Sequence, residues 1–363
     1  MVTPGVVAKP HARSNAGIFY MRSPVHAAAD TLQWGSSMMY DSIKNFQTQF
    51  AFVPVVANKE KLQVASSFIV LGMGGSGHTA DVMKMMYPHL DLTLHRDYGL
   101  PEISPEKMAS TMVIASSYSG STEEILDGFE KAVAARANVI AISTGGKLLL
   151  RAQKLGIPYI QLPSTGIQPR MSLGYQAKAL AALMCTASEQ GELFSLAERL
   201  DPSAWEKAGM MLAKKLKNKI PVIYVSRRNA ALGNLWKIIF NETAKIPAFY
   251  NVLPELNHNE MNGFDVSDST KLISKRFRFV FIKDSVDTEK IQKRFDMLET
   301  LYKARGLKVE KKPLKKGLRW EQIFSSFLLA SWSALYLGQL YGKEVEQVPM
   351  VEEFKRLIAD TKI

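Results

Sequence analysis

The sequence predicts an α/β protein made of two doubly wound parallel-sheet units. Three observations carry that expectation. Short apolar runs alternate with segments of helical period in βαβα order. Two glycine- and serine-rich turns, about one βα unit apart, each follow an apolar run and open a segment of helical period. The second half of the chain repeats the alternation, with no short repeat and no low-complexity tract. At 363 residues the chain can bury a sizeable core, and the length suggests two domains.

In order, residues 1–27 mix Pro, Gly, Ala and Ser without periodicity and read as an irregular extension. A helical pattern covers 28–50, with Met39, Ile43 and Phe46 at helical spacing. The first domain, 28–200, continues with strands at 68–71, 92–95, 112–115, 139–143 and 159–162. Its helices fall at 79–87, 122–136, 148–155 and 173–187. The second domain, 201–363, reads as strand 222–225, helix 235–244, strand 277–282 and helix 288–305. A basic link over 311–316, a long apolar helix over 321–341 and a terminal helix over 350–358 complete it.

Composition narrows the class. A hydrophobic share of 47% and a charged share of 22% are ordinary for a soluble globular protein. No apolar stretch is expected to reach the ~18 uncharged residues of a membrane span. Lys9 and Arg13 precede no continuous apolar core and no small-residue cleavage site, which argues against a secretory signal and for a cytoplasmic location. The single cysteine, Cys185, lies in an apolar helical run, reads as a buried structural thiol and excludes an intrachain disulfide. The net charge of +12 permits anionic partners, but the clusters at 214–219 and 308–316 lack interleaved aromatics. They read as solvated surface and a weak lure for phosphorylated metabolites, so neither nucleic acid nor membrane is an expected partner.

The chemistry concentrates in the two turns. In the first, Leu71 to Gly77, the glycines 72, 74 and 77 satisfy G-x-G-x-x-G, and Asp97 follows about 20 residues on, which admits a dinucleotide site. The second, Ser116 to Thr122, counts against that reading, because a nicotinamide site needs no Ser/Thr cluster on the next central strand. Ser117, Ser119 and Thr122 supply hydroxyls, and Gly120 and the next helix turn supply free N–H groups. Helix capping alone would need only Ser121 or Thr122. Three hydroxyls with a glycine favour anion binding. His78, His89 and His95 lie on different elements, and neither HExxH nor paired-cysteine spacing occurs, so no metal and no cofactor is expected.

These residues carry a family resemblance. The pairing of Gly74-Gly75-Ser76 with Ser117-Tyr118-Ser119-Gly120-Ser121-Thr122 resembles the sugar isomerase (SIS) domain, a flavodoxin-like α-β-α sandwich. Arg96-Asp97-Tyr98 before Leu100-Pro101, and Gln168-Pro169-Arg170, narrow the likeness. The run from Asn241 to Ala248, followed by Pro254-Glu255-Leu256-Asn257-His258-Asn259-Glu260, narrows it most. Together they resemble the bifunctional phosphoglucose/phosphomannose isomerases, from about residue 37 to the C-terminus.

The resemblance implies reversible isomerisation of glucose 6-phosphate and fructose 6-phosphate, with mannose 6-phosphate as a further substrate and no cofactor. It puts phosphate binding on Gly74, Gly75, Ser76, Ser117, Ser119 and Thr122, and the proton shuttle on Glu242. Without the surrounding motif, Glu242 would read as a helix glutamate paired locally with Lys245. His258 would open the sugar ring, a task suited to near-neutral titration, with Asn257 and Asn259 placed to fix its tautomer. Arg170 would steady the enediolate, and Lys355 matches a lysine near the family's C-terminus. The superfamily brings its histidine from a neighbouring subunit, so a homodimer is implied. Thr243 stands where the family usually has asparagine, and Leu235 where an arginine often precedes the tryptophan. Glu346-Gln347-Val348 fall where the family tunes glucose against mannose, without a residue-by-residue match. The rivals are a non-catalytic SIS sugar-phosphate regulator and a dinucleotide-dependent oxidoreductase.

Overall fold

The computed structural model describes Met1 and residues 37–360, without the side chains of 359 and 360. Apart from Met1, the expected extension over 1–27 and the start of the 28–50 helical pattern lie outside the described residues. The remainder of that pattern forms α1 (Met38–Lys44), whose N-cap Ser37 accepts a hydrogen bond from the Tyr40 amide, and a 3₁₀ turn over Phe46–Ala51. The described residues from 37 to 360 hold together as one unit.

The continuous apolar runs become buried parallel strands, as a sheet covered on both faces requires. The first sheet contains β1 (Val56–Ala57), β2 (Ser67–Gly72), β3 (Asp91–His95), β4 (Thr111–Ser116), β5 (Asn138–Ser143) and β6 (Tyr159–Gln161). Its order is β1-β6-β5-β4-β2-β3, parallel throughout except for β1 against β6. The helices of this half are α2 (Gly74–Met86), α3 (Pro105–Ala109), α4 (Glu123–Ala134), α5 (Gly146–Leu155), α6 (Leu173–Met184) and α7 (Ala187–Arg199). After α8 (Glu206–Leu216), strands β7 (Ile220–Ser226), β8 (Phe249–Leu253), β9 (Phe277–Lys283) and β10 (Val309–Pro313) form a second, all-parallel sheet in the order β10-β9-β7-β8. Its helices are α9 (Ala230–Ile239), α10 (Lys271–Ser274), α11 (Glu289–Ala304), α12 (Arg319–Leu340) and α13 (Pro349–Asp360).

Both sheets reverse direction of growth beside their first parallel strand, between β2 and β4 and between β7 and β9. At such switch points the loops leaving the strand ends part and open a crevice. The doubly wound expectation is met twice.

Strand side chains divide by the period of two. Phe68, Val70, Met112 and Ile114 from the first sheet join Ile223, Val225, Val280 and Ile282 from the second in one shared core. The opposite faces pack separately, Ile69, Leu71, Val113 and Ala115 in one layer and Val222, Tyr224, Phe279 and Phe281 in another. Helix α12 belongs to the shared core and is buried all round from Trp320 to Gly338. By length and composition it could cross a membrane, which corrects the expectation that no stretch is long enough, but 89% of its apolar window is buried inside the fold. An all-round apolar helix is the kind a protein interior requires.

Three further differences have physical causes. Helix α2 starts at Gly74, five residues before its apolar periodicity, because its first turn is glycine-rich and carries no repeat to read. The basic link is an edge strand, β10, whose lysines suit an exposed edge. The expected helix over 173–187 breaks after Met184, where Thr186 and Glu189 form a capping box that starts α7. Cys185 sits at that break, half-buried, with its thiol pushed up to about 12 by burial.

Candidate active site

The two turns meet at the first switch point. Gly72 of β2 is in register with Ser116 of β4, so the loops leave adjacent strand ends side by side. Neither α2 nor α4 has a side-chain cap, and the first-turn N–H groups of both helices are left for an acceptor from outside the helix. Thr122 is the N-cap of α4 by position, yet its hydroxyl pairs with Ser117 Oγ at 2.9 Å rather than with the helix. Ser117 Oγ also accepts from the Gly120 amide at 3.1 Å, and Ser76 Oγ accepts from the Tyr118 amide at 3.2 Å, which ties the two turns together. Ser76 and Ser117 are buried, Ser119 is exposed and Thr122 is half-buried. The result is a hydroxyl- and amide-lined crevice suited to a phosphate group.

Two glycines are required by this geometry. Gly120 takes φ +69°, and a Cβ there would lie 1.9 Å from the Gly145 carbonyl oxygen. At Gly75 a Cβ would lie 2.4 Å from the Pro169 carbonyl oxygen. That close approach presses the Pro169–Met171 turn, which carries Arg170, onto the first turn of α2.

Arg170 is only 3% exposed, and its donors divide into two sets. Nε donates to Thr243 Oγ1 at 3.0 Å, while Nη2 donates to the carbonyls of Val345 and Glu346 at 2.8 and 2.7 Å. Nη1 is buried without a hydrogen-bond partner and lies 3.6 Å from Glu242 Oε2. Glu242 sits in a π-helical turn, Phe240–Ala244, that extends α9 and ends at Lys245 in the left-handed region, φ 55°. Such single π turns recur at functional sites. Burial pushes the Glu242 carboxyl above the ordinary glutamate range, opposed first by Arg170 and then by His78, Lys245 and Lys355. A raised carboxyl beside a guanidinium nitrogen that has no hydrogen-bond partner can take up a proton and stabilise an oxyanion in one place.

The structure thus joins Glu242 with Arg170, whose turn packs against Gly75 of the first glycine-rich turn. His258 is not joined to them by any hydrogen bond or ion pair. It is exposed at the end of the 3₁₀ turn Glu255–His258, after the edge strand β8. The flanking asparagines do not fix its tautomer, a correction to the sequence reading: Asn257 Oδ1 accepts from Arg294, and Asn259 bonds Glu255 and the Glu260 amide. Lys355, on α13, is exposed and pairs with Glu352 at 2.8 Å, although its charge reaches Glu242. Lys245 donates to the Glu242 carbonyl at 3.3 Å, not to its carboxylate.

Sequence reasoning missed the contacts of three neighbours of the site, although Thr243, His78 and the Glu346-Gln347-Val348 run were each noted for other reasons. Thr243, noted only as a departure, holds Arg170. His78, weighed only as a metal ligand, lies on α2 within 3.4 Å of Asn234 of α9 and contributes charge at Glu242. Residues 344–347 close over the arginine. No local pattern marks such contacts, because their partners are far apart in the chain.

Strand order and site define a SIS-class α/β protein. The C-terminal domain of glucosamine-fructose-6-phosphate aminotransferase from Francisella tularensis has the same fold, with a TM-score of 0.61 at 14% identity over 85% of this chain and 96% of that one. Residues 206–358 match the bacterial phospho-glucose isomerase C-terminal SIS domain. A bifunctional phosphoglucose/phosphomannose isomerase from Caldicellulosiruptor bescii is 33% identical over 89% of this chain and 100% of its own length. One from Aquifex aeolicus is 28% identical over 87% and 97%. The chain belongs to the bifunctional phosphoglucose/phosphomannose isomerase family.

Proposed function

We propose that this protein interconverts glucose 6-phosphate and fructose 6-phosphate, and mannose 6-phosphate with them, through a cis-enediolate. The observation that carries the reading is the buried Arg170 Nη1, unpartnered and 3.6 Å from the Glu242 carboxylate. A buried donor is left without a partner only at a cost, and an enediolate oxygen would supply one.

The phosphate lies in the crevice between the two turns, on Ser76, Ser117, Ser119 and Thr122, with Gly74 and Gly75 admitting it close to the backbone. Glu242 removes the C2 proton of the open-chain aldose and returns it to C1, while the carbonyl moves from C1 to C2. Arg170 stabilises the charge that appears on the oxygens between these steps. Because the enediolate formed from fructose 6-phosphate can be protonated at C2 on either face, both epimers are accessible from one intermediate. His258 is exposed and apart from Glu242, which fits a ring-opening role in the site of a second copy in a homodimer. Lys355 adds positive charge beside the base. A division into domains 28–200 and 201–363 is supported by the presence of two sheets, with the proposed phosphate crevice beside the first and the proposed base beside the second.

The test is incubation with fructose 6-phosphate in D₂O with EDTA, followed by proton NMR. Both glucose and mannose 6-phosphates should appear with deuterium at C2. Binding of fructose 6-phosphate without product would favour the regulator reading. Glu242→Gln should lower kcat by about 10²–10⁴-fold with phosphate affinity unchanged, since only proton transfer is removed.

A further inference from the structure

We propose that Glu344 is a positioning residue for this site, acting through two peptide groups to aim the Arg170 guanidinium. The inference rests on the isomerase reading and adds to it a residue outside the motifs.

The geometry is a relay. Glu344 Oε1 accepts the Glu346 amide at 2.6 Å, and Oε2 accepts the Gln347 amide at 2.7 Å. The carbonyls of those same two peptide groups, Val345 and Glu346, both accept from Arg170 Nη2. A trans peptide points its N–H and C=O in opposite directions, so two consecutive peptide planes stand between a carboxylate and a guanidinium. Each peptide dipole has its positive end toward Glu344 and its negative end toward Arg170, the favourable sense at both ends. Two successive carbonyls turned the same way do not occur in an extended strand, and the paired acceptance by Glu344 favours that turn.

The relay closes on the base. Glu344 Oε2 lies 3.9 Å from Lys245 Nζ, which donates to the Glu242 carbonyl. With Thr243 on Nε and both strap carbonyls on Nη2, three of the five guanidinium hydrogens are committed, and Nη1 is left facing Glu242. Gly338 lets α12 come up beneath, where a Cβ would meet Val345 Cγ1 at 2.8 Å and the Thr243 carbonyl oxygen at 2.9 Å. Glu344 itself is 55% exposed, so its removal opens no hole in the core.

The experiment compares the wild type with Glu344→Ala in turnover and in binding. Inorganic phosphate probes the crevice alone, and a five-carbon aldonate 5-phosphate probes the crevice together with Arg170, its carboxylate standing for the enediolate oxygens. Glu344→Ala should lower kcat by about tenfold to a hundredfold with KM within about threefold, the signature of a misplaced transition-state contact. The aldonate should bind about tenfold more weakly and inorganic phosphate equally well. In an Arg170→Ala background the Glu344→Ala change should add nothing, because both act through one group. Unchanged kcat, equal weakening of both probes, or additive losses would overturn the assignment. The ¹⁵N-labelled Arg170 Nε–H signal gives a readout that does not depend on turnover: its exchange with solvent should quicken in Glu344→Ala, and unchanged exchange would also overturn the proposal. Absence of turnover in the wild type would instead defeat the isomerase reading, leaving the exchange measurement to judge the relay.

Discussion

At the scale of residues, the site turns on how Arg170 and Glu242 divide their charge. Burial disfavours both charged forms, raising the carboxyl and lowering the guanidinium, while each partner works against the shift of the other. As the proposed base, Glu242 acts deprotonated, so activity should be present above its folded pKa and lost as pH falls through it. The acid limb of kcat/KM should therefore lie above the ordinary glutamate value of about 4.3. Arg170→Gln removes the largest lowering influence, so the limb should move to still higher pH while kcat falls. A limb that moves down, or stays in place, in a folded variant would mean that another group sets it. The types of these residues and the motif around Glu242 were legible in the sequence. Their meeting was not: Arg170 reaches Thr243 across 73 positions and Val345 across 175, and no local spacing encodes such contacts.

At the scale of elements, apolar runs and helical period located most strands and helices, and the errors fall where those signals are weak. The start of α2 was hidden by glycines, β10 by lysines and β8 by a half-exposed, mixed sequence at a sheet edge. One of the glycines that obscured α2, Gly75, is the one that lets the Pro169–Met171 turn rest on it. Gly75→Ala should force turn and helix apart, costing about 1–3 kcal/mol of stability as an overpacked contact. Since Arg170 rides on that turn, kcat/KM should fall by roughly a hundredfold for a displacement of about 1 Å. Gly191→Ala in α7 is the control, because nothing lies within 4 Å of its added Cβ. It should leave activity intact and stabilise the helix by about 0.5–1 kcal/mol. Equal activity of the two variants in the fructose 6-phosphate assay would refute the role given to the Gly75 contact.

At the scale of the whole molecule, the run β5-β4-β2-β3 of the first sheet repeats the order β10-β9-β7-β8 of the second, but the two differ at their switch points. Between β2 and β4 the crevice is lined by hydroxyls and amides. Between β7 and β9 the chain places a carboxylate, Asp284, which is fully buried. It accepts from Arg319 Nη1 at 2.8 Å and from Asn229 Nδ2 at 3.2 Å, with Arg228 3.9 Å away. One crevice is thus left for an anion from outside, and its counterpart is closed by an anion of the chain. The consequence is a division of labour that substitution can separate. Asp284→Ala strands the Arg319 guanidinium, itself 16% exposed, without its main partner, and loss of one member of a buried pair costs about 3–5 kcal/mol. Ser117→Ala deletes one hydroxyl from the open crevice and should cost about 1 kcal/mol of stability. In binding the order reverses, because only Ser117 faces the proposed phosphate: fructose 6-phosphate affinity should fall for Ser117→Ala and hold for the folded fraction of Asp284→Ala. Urea unfolding and calorimetric titration of both variants measure the two quantities. Comparable stability losses would refute the structural role given to Asp284, and a loss of affinity confined to Asp284→Ala would show that the closed crevice and not the open one receives the substrate.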